Sequence, residues 1–180
     1  MSKFEAILLE FAEETRDAAK RNLGSRTIGK NKSYGVASRE LQKSLTFSIK
    51  GGKVSFGSPL PYAQFIHWGV NGTQVNRQAP YSYTTKQPPV SVIRKWMEKK
   101  PVRLRGANGQ FIEQTESALD SAAFAIARSI KRKGIAALRY WSEAYEAMYP
   151  RYAQKLAEAK AEDVALEISA KIGNITIKAK

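Results

Sequence analysis

The segment 46–56 limits the possible folds of this chain more than any other part of its sequence. Polar and apolar residues alternate through Thr46–Lys50 and again through Lys53–Phe56, with a pair of glycines between the two runs. Glycine tolerates the positive φ that a tight hairpin turn requires, and alternation is the periodicity of a strand with one buried face. The pattern predicts an antiparallel β-hairpin, so the fold should contain a sheet.

Helical periodicity accounts for most of the remaining chain. Apolar residues spaced three and four apart predict long helices over 3–22, 90–99, 116–133 and 141–161, the last bent or broken near Pro150. Shorter helices are predicted over 37–45 and 62–68. Alternation predicts a second hairpin over 103–112 and strands over 164–168 and 174–178.

Together these elements predict an α+β fold. A small antiparallel sheet with a hairpin would be flanked by the long amphipathic helices 3–22 and 116–133. The length of 180 residues favours a single domain, 1–180, which ends in a C-terminal strand extension. The polar segment at about 70–87 has little periodicity and predicts a long loop or arm, because loops of this length in compact domains are usually functional.

Residue types needed for catalysis or metal binding are sparse. The chain has no cysteine and one histidine, His67, which excludes thiolate sites and histidine clusters. The acidic pairs Glu13-Glu14 and Glu162-Asp163 fall on predicted helices, where neighbouring side chains point about 100° apart. We therefore expect a non-enzymatic protein with no metal or cofactor, in which His67 is structural.

The sequence carries no membrane or export signal that we recognise. No apolar run approaches the ~20 residues of a membrane helix, and the N-terminus lacks the basic and apolar regions of a signal peptide. The hydrophobic fraction of 43% is sufficient for an ordinary core. We expect a folded protein that is made in the cytoplasm and has no membrane partner.

The net charge of +14 is the strongest global feature of the sequence. Nine Lys and Arg against one acid occupy 20–53, and further basic clusters lie over 94–105 and 128–133. No helix-turn-helix, zinc-finger or RNA-binding strand motif accompanies them, so nucleic acid would be contacted through phosphates without sequence readout. The alternative is a charged face that pairs with an acidic neighbouring subunit, and the sequence does not separate the two.

Two segments of the chain resemble a known family. The first is a short aromatic-rich run: Pro61, Tyr62, Ala63, Gln64, Phe65, Ile66, His67, Trp68 and Gly69. The second, over 123–135, has an aromatic residue, Phe124, then a small residue, Ile, a small residue and the basic Arg128, followed one residue later by Ile, three basic residues, a Gly and an Ile. In this order and spacing they resemble the head–tail joining proteins of tailed bacteriophages, also called neck or tail-completion proteins. Many relatives carry an acid and Phe at the positions of His67 and Trp68, and Thr after the glycine, where this chain has Val70.

The resemblance implies an α+β subunit without enzymatic activity that forms a ring between the capsid portal and the tail. Its partners would be copies of itself in a homo-oligomeric ring of six or twelve, portal or adaptor proteins, and tail-tube or terminator proteins. The protein would be located in the virion, at the head–tail interface. The alternatives are a tail terminator ring and a sequence-independent basic nucleic-acid-binding protein.

Three groups of site residues follow from the resemblance and the residue types. The signature 61–69 is expected either to pack as core over the hairpin or to form part of a subunit seam. Tyr81 and Tyr83, in the arm at 70–87, are expected to contact a partner, because aromatic residues anchor interfaces. Contact with DNA in the channel, or with an acidic partner, is expected from seven basic residues: Lys30, Lys32, Arg103, Arg105, Lys131, Arg132 and Lys133.

Overall fold

The structure is a computed structural model that describes residues 2–25, 39–99, 102–106 and 108–173. These residues form a mostly helical α+β fold with one two-stranded antiparallel sheet, which confirms the predicted class. The elements in chain order are α1 (Lys3–Ser25), α2 (Glu40–Ser44), β1 (Thr46–Lys50), β2 (Lys53–Gly57), α3 (Ala63–Trp68), α4 (Val90–Lys99), α5 (Glu116–Lys133) and α6 (Tyr140–Gly173).

The chain divides into two compact units, each assembled from separated pieces of sequence. Unit 1 comprises Met1–Asn22, Leu45–Ser58 and Tyr140–Lys180. Unit 2 comprises Leu23–Ser44 and Pro59–Arg139. The hairpin therefore belongs to unit 1, whereas the signature 61–69 and the arm belong to unit 2.

The predicted hairpin is confirmed in register and in its turn. Phe47 pairs with Phe56 and Ile49 pairs with Val54, so the apolar residues of β1 and β2 share one face. The turn between the strands uses two consecutive glycines with φ of 54° and 73°. These angles are strained for residues with a Cβ, which explains why the sequence has a glycine pair there.

Unit 1 is built by packing the apolar face of the hairpin against α1 and α6. Leu8, Phe11 and Tyr152 are buried at its centre, and Val54 and Phe56 of β2 pack against them. The ring of Phe11 meets those of Phe56 and Tyr152 at centroid distances of 6.3 and 5.6 Å. The second long helix of this unit is α6, whereas the sequence favoured 116–133, which lies in unit 2 as α5.

Helix α6 continues through Pro150, so of the two predicted alternatives, a bend or a break, the break is wrong. Proline removes one helical hydrogen bond and crowds the preceding turn. Met148 and Leu156, on either side of Pro150, both pack on the core of unit 1. This packing holds both halves of the helix and offsets the local defect.

The predicted strand over 164–168 is also wrong, because these residues continue α6. Val164, Leu166 and Ile168 are all exposed, with Leu166 at 70%. Their alternation therefore does not mark a buried face, and the surrounding Ala and Glu residues favour a helix. The predicted strand over 174–178 lies outside the described residues.

Unit 2 contains a second core, between α4 and α5. Met97, Leu104 and Ala123 are buried there. The bounds of α5 match the predicted ones: Thr115 accepts a hydrogen bond from Ala118 N at 3.2 Å as the N-cap. Of the predicted hairpin over 103–112, the described residues form an antiparallel bridge between Arg105 and Phe111 in place of two regular strands. Hydrogen bonds from Gly106 N to Gln110 O and from Ile112 N to Leu104 O flank this bridge.

Candidate functional site

The signature at 61–69 is joined to the segment that follows α5 by backbone hydrogen bonds, an arrangement that we call the clasp. Val70 and Ile135 exchange two hydrogen bonds, both of 2.8 Å. Two residues of α3 extend the contact: Leu138 N donates to Ile66 O, and Arg139 N donates to His67 O, both at 3.0 Å. Residues in or next to the two segments that resemble the phage family make these hydrogen bonds, so the clasp places the segments side by side although more than 50 residues separate them in the sequence.

Glycines make the close backbone approach in the clasp possible. A Cβ on Gly69 would stand 2.7 Å from Ile135 O. A Cβ on Gly72 would stand 2.5 Å from Gly134 N, and one on Gly134 would stand 2.5 Å from Gly72 N. These distances are far inside normal contact, and Gly134 also has φ of 70°. Gly69 and Gly134 belong to the two segments that resemble the family, whereas the sequence carried no signal for Gly72.

The side chains of the signature divide between the interior and the surface of unit 2. Ala63 and His67 are buried, and Phe65 and Ile66 are half-buried. Pro61, Tyr62 and Trp68 are exposed, and Trp68 has 49% of its surface accessible. A subunit seam at these exposed residues stays a prediction.

His67 has the environment of a structural residue. It is 6% exposed, and the ring of Trp68 lies edge-on to it at a centroid distance of 4.4 Å. Burial lowers the pKa of His67 below the usual 6.5, and the positive charge of Arg139 lowers it further. A neutral, buried imidazole beneath an exposed indole stabilises the local packing and is poorly placed to meet a substrate.

The arm, residues 70–87, is folded around the side chain of Asn71. Its Nδ2 donates to Ala79 O at 2.7 Å, and its Oδ1 accepts from Arg77 N at 2.7 Å and from Ala79 N at 3.0 Å. The backbone N–H of Asn71 donates to Tyr81 O at 2.7 Å. The hydrogen bonds of one amide side chain thus take the place of the backbone hydrogen bonds between paired strands, which explains why the sequence of the arm has no clear periodicity.

Tyr81 and Tyr83 lie on the body of unit 2 and not at a free tip. The hydroxyl of Tyr81 donates to Gln64 Oε1 at 3.0 Å, and its ring meets that of Phe65 at 4.8 Å. Tyr83 is half-buried, and this burial raises the pKa of its hydroxyl. The predicted role of both residues in binding a partner is untested; in the structure, Tyr81 holds the arm against α3 through Gln64 and Phe65.

The arm also caps the C-terminal end of α5. The last carbonyls of a helix have no partner within the helix and must find donors elsewhere. Three donors of the arm supply them: Thr73 N to Lys131 O at 2.9 Å, Gln74 N to Arg132 O at 2.9 Å, and Arg77 Nε to Lys133 O at 2.7 Å. The basic end of α5 is therefore fixed in place by the arm.

The predicted basic residues are in different surroundings. Lys131 Nζ donates to Thr85 O at 2.7 Å and Arg132 Nε donates to Gln74 Oε1 at 2.8 Å, so both bind the arm. The guanidinium groups of Arg103 and Arg105 lie over the exposed ring of Phe111, at 5.6 and 4.2 Å. The side chain of Lys133 is exposed, and Lys30 and Lys32 lie outside the described residues.

Among the described residues, no group of three or more His, Asp or Glu side chains converges to hold a metal ion. Nor does any described helix combine the length and apolar character that crossing a membrane requires. Neither protein-family models, nor curated proteins, nor solved structures match the chain. Its function must therefore be inferred from the surfaces of its two units.

Nearly all of the net charge falls in unit 2. Its sequence has 18 Lys and Arg against five Asp and Glu, a formal +13, whereas unit 1 has 12 against 11, a formal +1. Three of the acids in unit 2 are paired with one cation, Arg94: Glu98, Glu116 and Asp120. Most residues of the three basic clusters in the sequence therefore belong to unit 2, which their positions along the chain did not indicate.

A shallow depression of about 590 Å³ lies along the exposed side of α5. It is lined by Phe124, Ala125, Arg128, Ser129, Arg132 and Lys133. Phe124 is 50% exposed beside these cations. Phe124 and Arg128 belong to the segment 123–135 that resembles the family, and Arg128 to the basic cluster 128–133. Neither was predicted as a site residue, because the face they share exists only once the helix is formed.

Proposed function

We propose that the protein is a structural virion protein of a tailed bacteriophage. It forms part of the head-to-tail connector, as a neck or tail-completion ring that joins the portal or adaptor to the tail around the DNA channel. The observation that carries the proposal is the clasp. The two segments that resemble the family, 61–69 and 123–135, are distant in sequence, yet the backbone of Gly69 lies against that of Ile135. Hydrogen bonds of the adjoining residues, among them Val70 with Ile135, complete the contact.

The clasp supports the proposal because it gives both segments a common physical purpose. The glycines at 69 and 134 are required for the close approach of two backbones, and His67 is buried against it. If the resemblance arose by chance, the matching residues would not be expected to contact each other in the fold. The exposed aromatic rings of Tyr62 and Trp68 are then available for contact with a neighbouring subunit.

In a closed ring, every subunit offers one surface to each of its two neighbours, and the two surfaces differ. The signature side of unit 2 supplies one such surface. The protein has no catalytic step in this role, and its partners are copies of itself, in a ring of six or twelve, together with portal or adaptor and tail-tube or terminator proteins. A tail terminator ring is a variant of the same proposal, at a different level of the connector.

The concentration of +13 in unit 2 favours a second candidate, a sequence-independent nucleic-acid-binding protein. Native mass spectrometry separates the two. The full chain would be measured alone and with purified portal and tail-tube proteins from the same phage. Rings of six or twelve, alone or on either partner, are expected for the connector subunit. A chain that stays monomeric with both partners, yet binds DNA tightly and in a salt-sensitive manner, would overturn the connector proposal.

A further inference from the structure

The cations on the exposed face of α5 have no acidic partner within the described residues. Arg128 and Lys133 form no ion pair with a described carboxylate, and Arg132 bonds the amide oxygen of Gln74. Nearby acids of the same helix, Glu116 and Asp120, are already engaged by Arg94. The face therefore carries a positive charge that the protein itself does not neutralise.

The C-terminal end of a helix is ordinarily a poor place for an anion, because its free carbonyls carry partial negative charge. In α5 this effect is reduced by the arm, whose N–H groups bind the carbonyls of Lys131, Arg132 and Lys133. These hydrogen bonds also hold the end of the helix rigid. The positive side chains are thus presented from a fixed support, which lowers the entropic cost of binding a ligand.

The spacing of the face suits a regular row of phosphates. Arg128 and Arg132 are four residues apart, which is a rise of about 6 Å along the helix. One strand of duplex DNA advances about 3.4 Å per phosphate, so this rise corresponds to roughly two phosphates. Lys133 borders the same depression and adds a third charge.

We propose that the outward face of α5, formed by Arg128, Arg132 and Lys133 around Phe124, binds the phosphate backbone of duplex DNA. The inference rests on the proposed function, because a connector ring surrounds the DNA channel, and it identifies which basic surface meets the DNA. The contact involves no base readout.

Charge complementarity favours DNA over an acidic protein. A second copy of the chain offers these cations no net negative charge, because its two units carry a formal +1 and +13. Several acids of unit 1 are already paired, among them Glu162 with Lys3 and Glu14 with Arg151. Duplex DNA is favoured over single strands, since single-strand grooves stack successive bases on several aromatic rings and this face has Phe124 alone.

The test measures binding of a fluorescently labelled 30-base-pair duplex to the full chain by anisotropy, between 0.05 and 0.3 M salt. The variant is Arg128→Gln/Lys133→Gln, which leaves the contact of Arg132 with the arm intact. The matched control is Lys50→Gln/Lys53→Gln, which removes the same charge from exposed positions of the hairpin in unit 1. A single strand of the same sequence serves as a second ligand.

The variant is expected to bind about 60-fold more weakly at 0.1 M salt, with a salt slope smaller by roughly 1.8, because each phosphate contact contributes about 0.9 to that slope. The control should bind as the parent chain does, and the single strand should bind more weakly than the duplex. The charge-retaining variant Arg128→Lys/Lys133→Arg should keep duplex binding, which shows that charge and not packing is responsible.

Several results would overturn the inference: no duplex binding by the parent chain, equal losses in the variant and the control, or loss in the charge-retaining variant. Native mass spectrometry of the same variants separates the two proposals. Rings that form normally without any effect on DNA binding would refute the phosphate face and leave the connector function standing. A variant that binds DNA normally but no longer assembles would assign the face to an acidic partner protein instead.

Discussion

Replacing Gly134 with alanine should destabilise unit 2 by more than its backbone angle alone explains. Gly134 has φ of 70° and also lies against the backbone of Gly72, where a Cβ would stand 2.5 Å from a nitrogen. Two other glycines separate these effects. Gly109 has φ of 79° with open space where a Cβ would be, whereas Gly72 has a crowded Cβ position without a positive φ.

The expected magnitudes follow from these differences. A left-handed conformation costs a residue with a Cβ about 1–2 kcal/mol, and the stiffer unfolded chain returns about 0.4–1, so Gly109→Ala should cost about 1 kcal/mol. In Gly72→Ala the new methyl group must displace the clasp. The two hydrogen bonds between Val70 and Ile135 are each worth about 1 kcal/mol, which gives about 2 kcal/mol. Gly134→Ala combines both effects and should cost about 3 kcal/mol.

Urea denaturation followed by circular dichroism gives the free energy of unfolding for each variant. The slope against denaturant should stay constant, so that shifts in the midpoint report stability. Equal decreases in the free energy of unfolding for Gly134→Ala and Gly109→Ala would mean that the close approach of the two backbones contributes nothing to stability. That result would remove the physical basis for the clasp, and with it the observation that supports the connector proposal.

Three further outcomes are expected. Replacing Asn71 with Ala should speed hydrogen exchange of the Arg77 and Ala79 amides by at least tenfold, because their acceptor is lost; unchanged protection would mean that the arm does not depend on this side chain. Trp68→Ala should lower the free energy of unfolding by about 1–2 kcal/mol, which is less than the loss for a fully buried Trp, and should weaken ring formation in native mass spectrometry. A variant with unchanged stability and normal rings would exclude a role of Trp68 both in the core and in a subunit seam. The folded pKa of His67 lies below its unfolded value, so the fold binds fewer protons, and stability should be full above about pH 6.5 and fall below it. His67→Phe should flatten this pH dependence in denaturation curves, and an identical dependence in both proteins would refute the assignment.

Local signals in the sequence predicted local structure well. The hairpin was recognisable because its alternation and its glycine turn are both short-range features, and the same holds for α5, which begins after Thr115 and ends before Gly134. These signals act within one turn or one strand pair. They need no knowledge of what lies elsewhere in the fold.

Long-range organisation could not be predicted in the same way. Val164–Ile168 alternates apolar and other residues as a strand would, but it continues α6, and none of its apolar residues is buried. The sequence pattern could not reveal that these side chains have no core to pack against. The clasp depends on Gly72, which is indistinguishable in sequence from any loop glycine until Gly134 lies beside it. For the candidate site, the basic end of α5 was predicted, but the face that joins Arg128 to Phe124 was not.

The division into units has a consequence for the order of folding. Unit 2 lies between the first and last parts of unit 1 in the sequence and is interrupted only by the hairpin, so a growing chain completes unit 2 before α6 of unit 1. The core of unit 1 requires Tyr152, whose hydroxyl bonds Glu10 across 142 residues. Closing so long a loop is slow compared with local pairing. Until α6 has been synthesised, Leu8 and Phe11 have only the hairpin to pack against. When the full chain refolds, the same long loop must close, so pulse-labelled hydrogen exchange should show protection at Ala79 before it appears in α1.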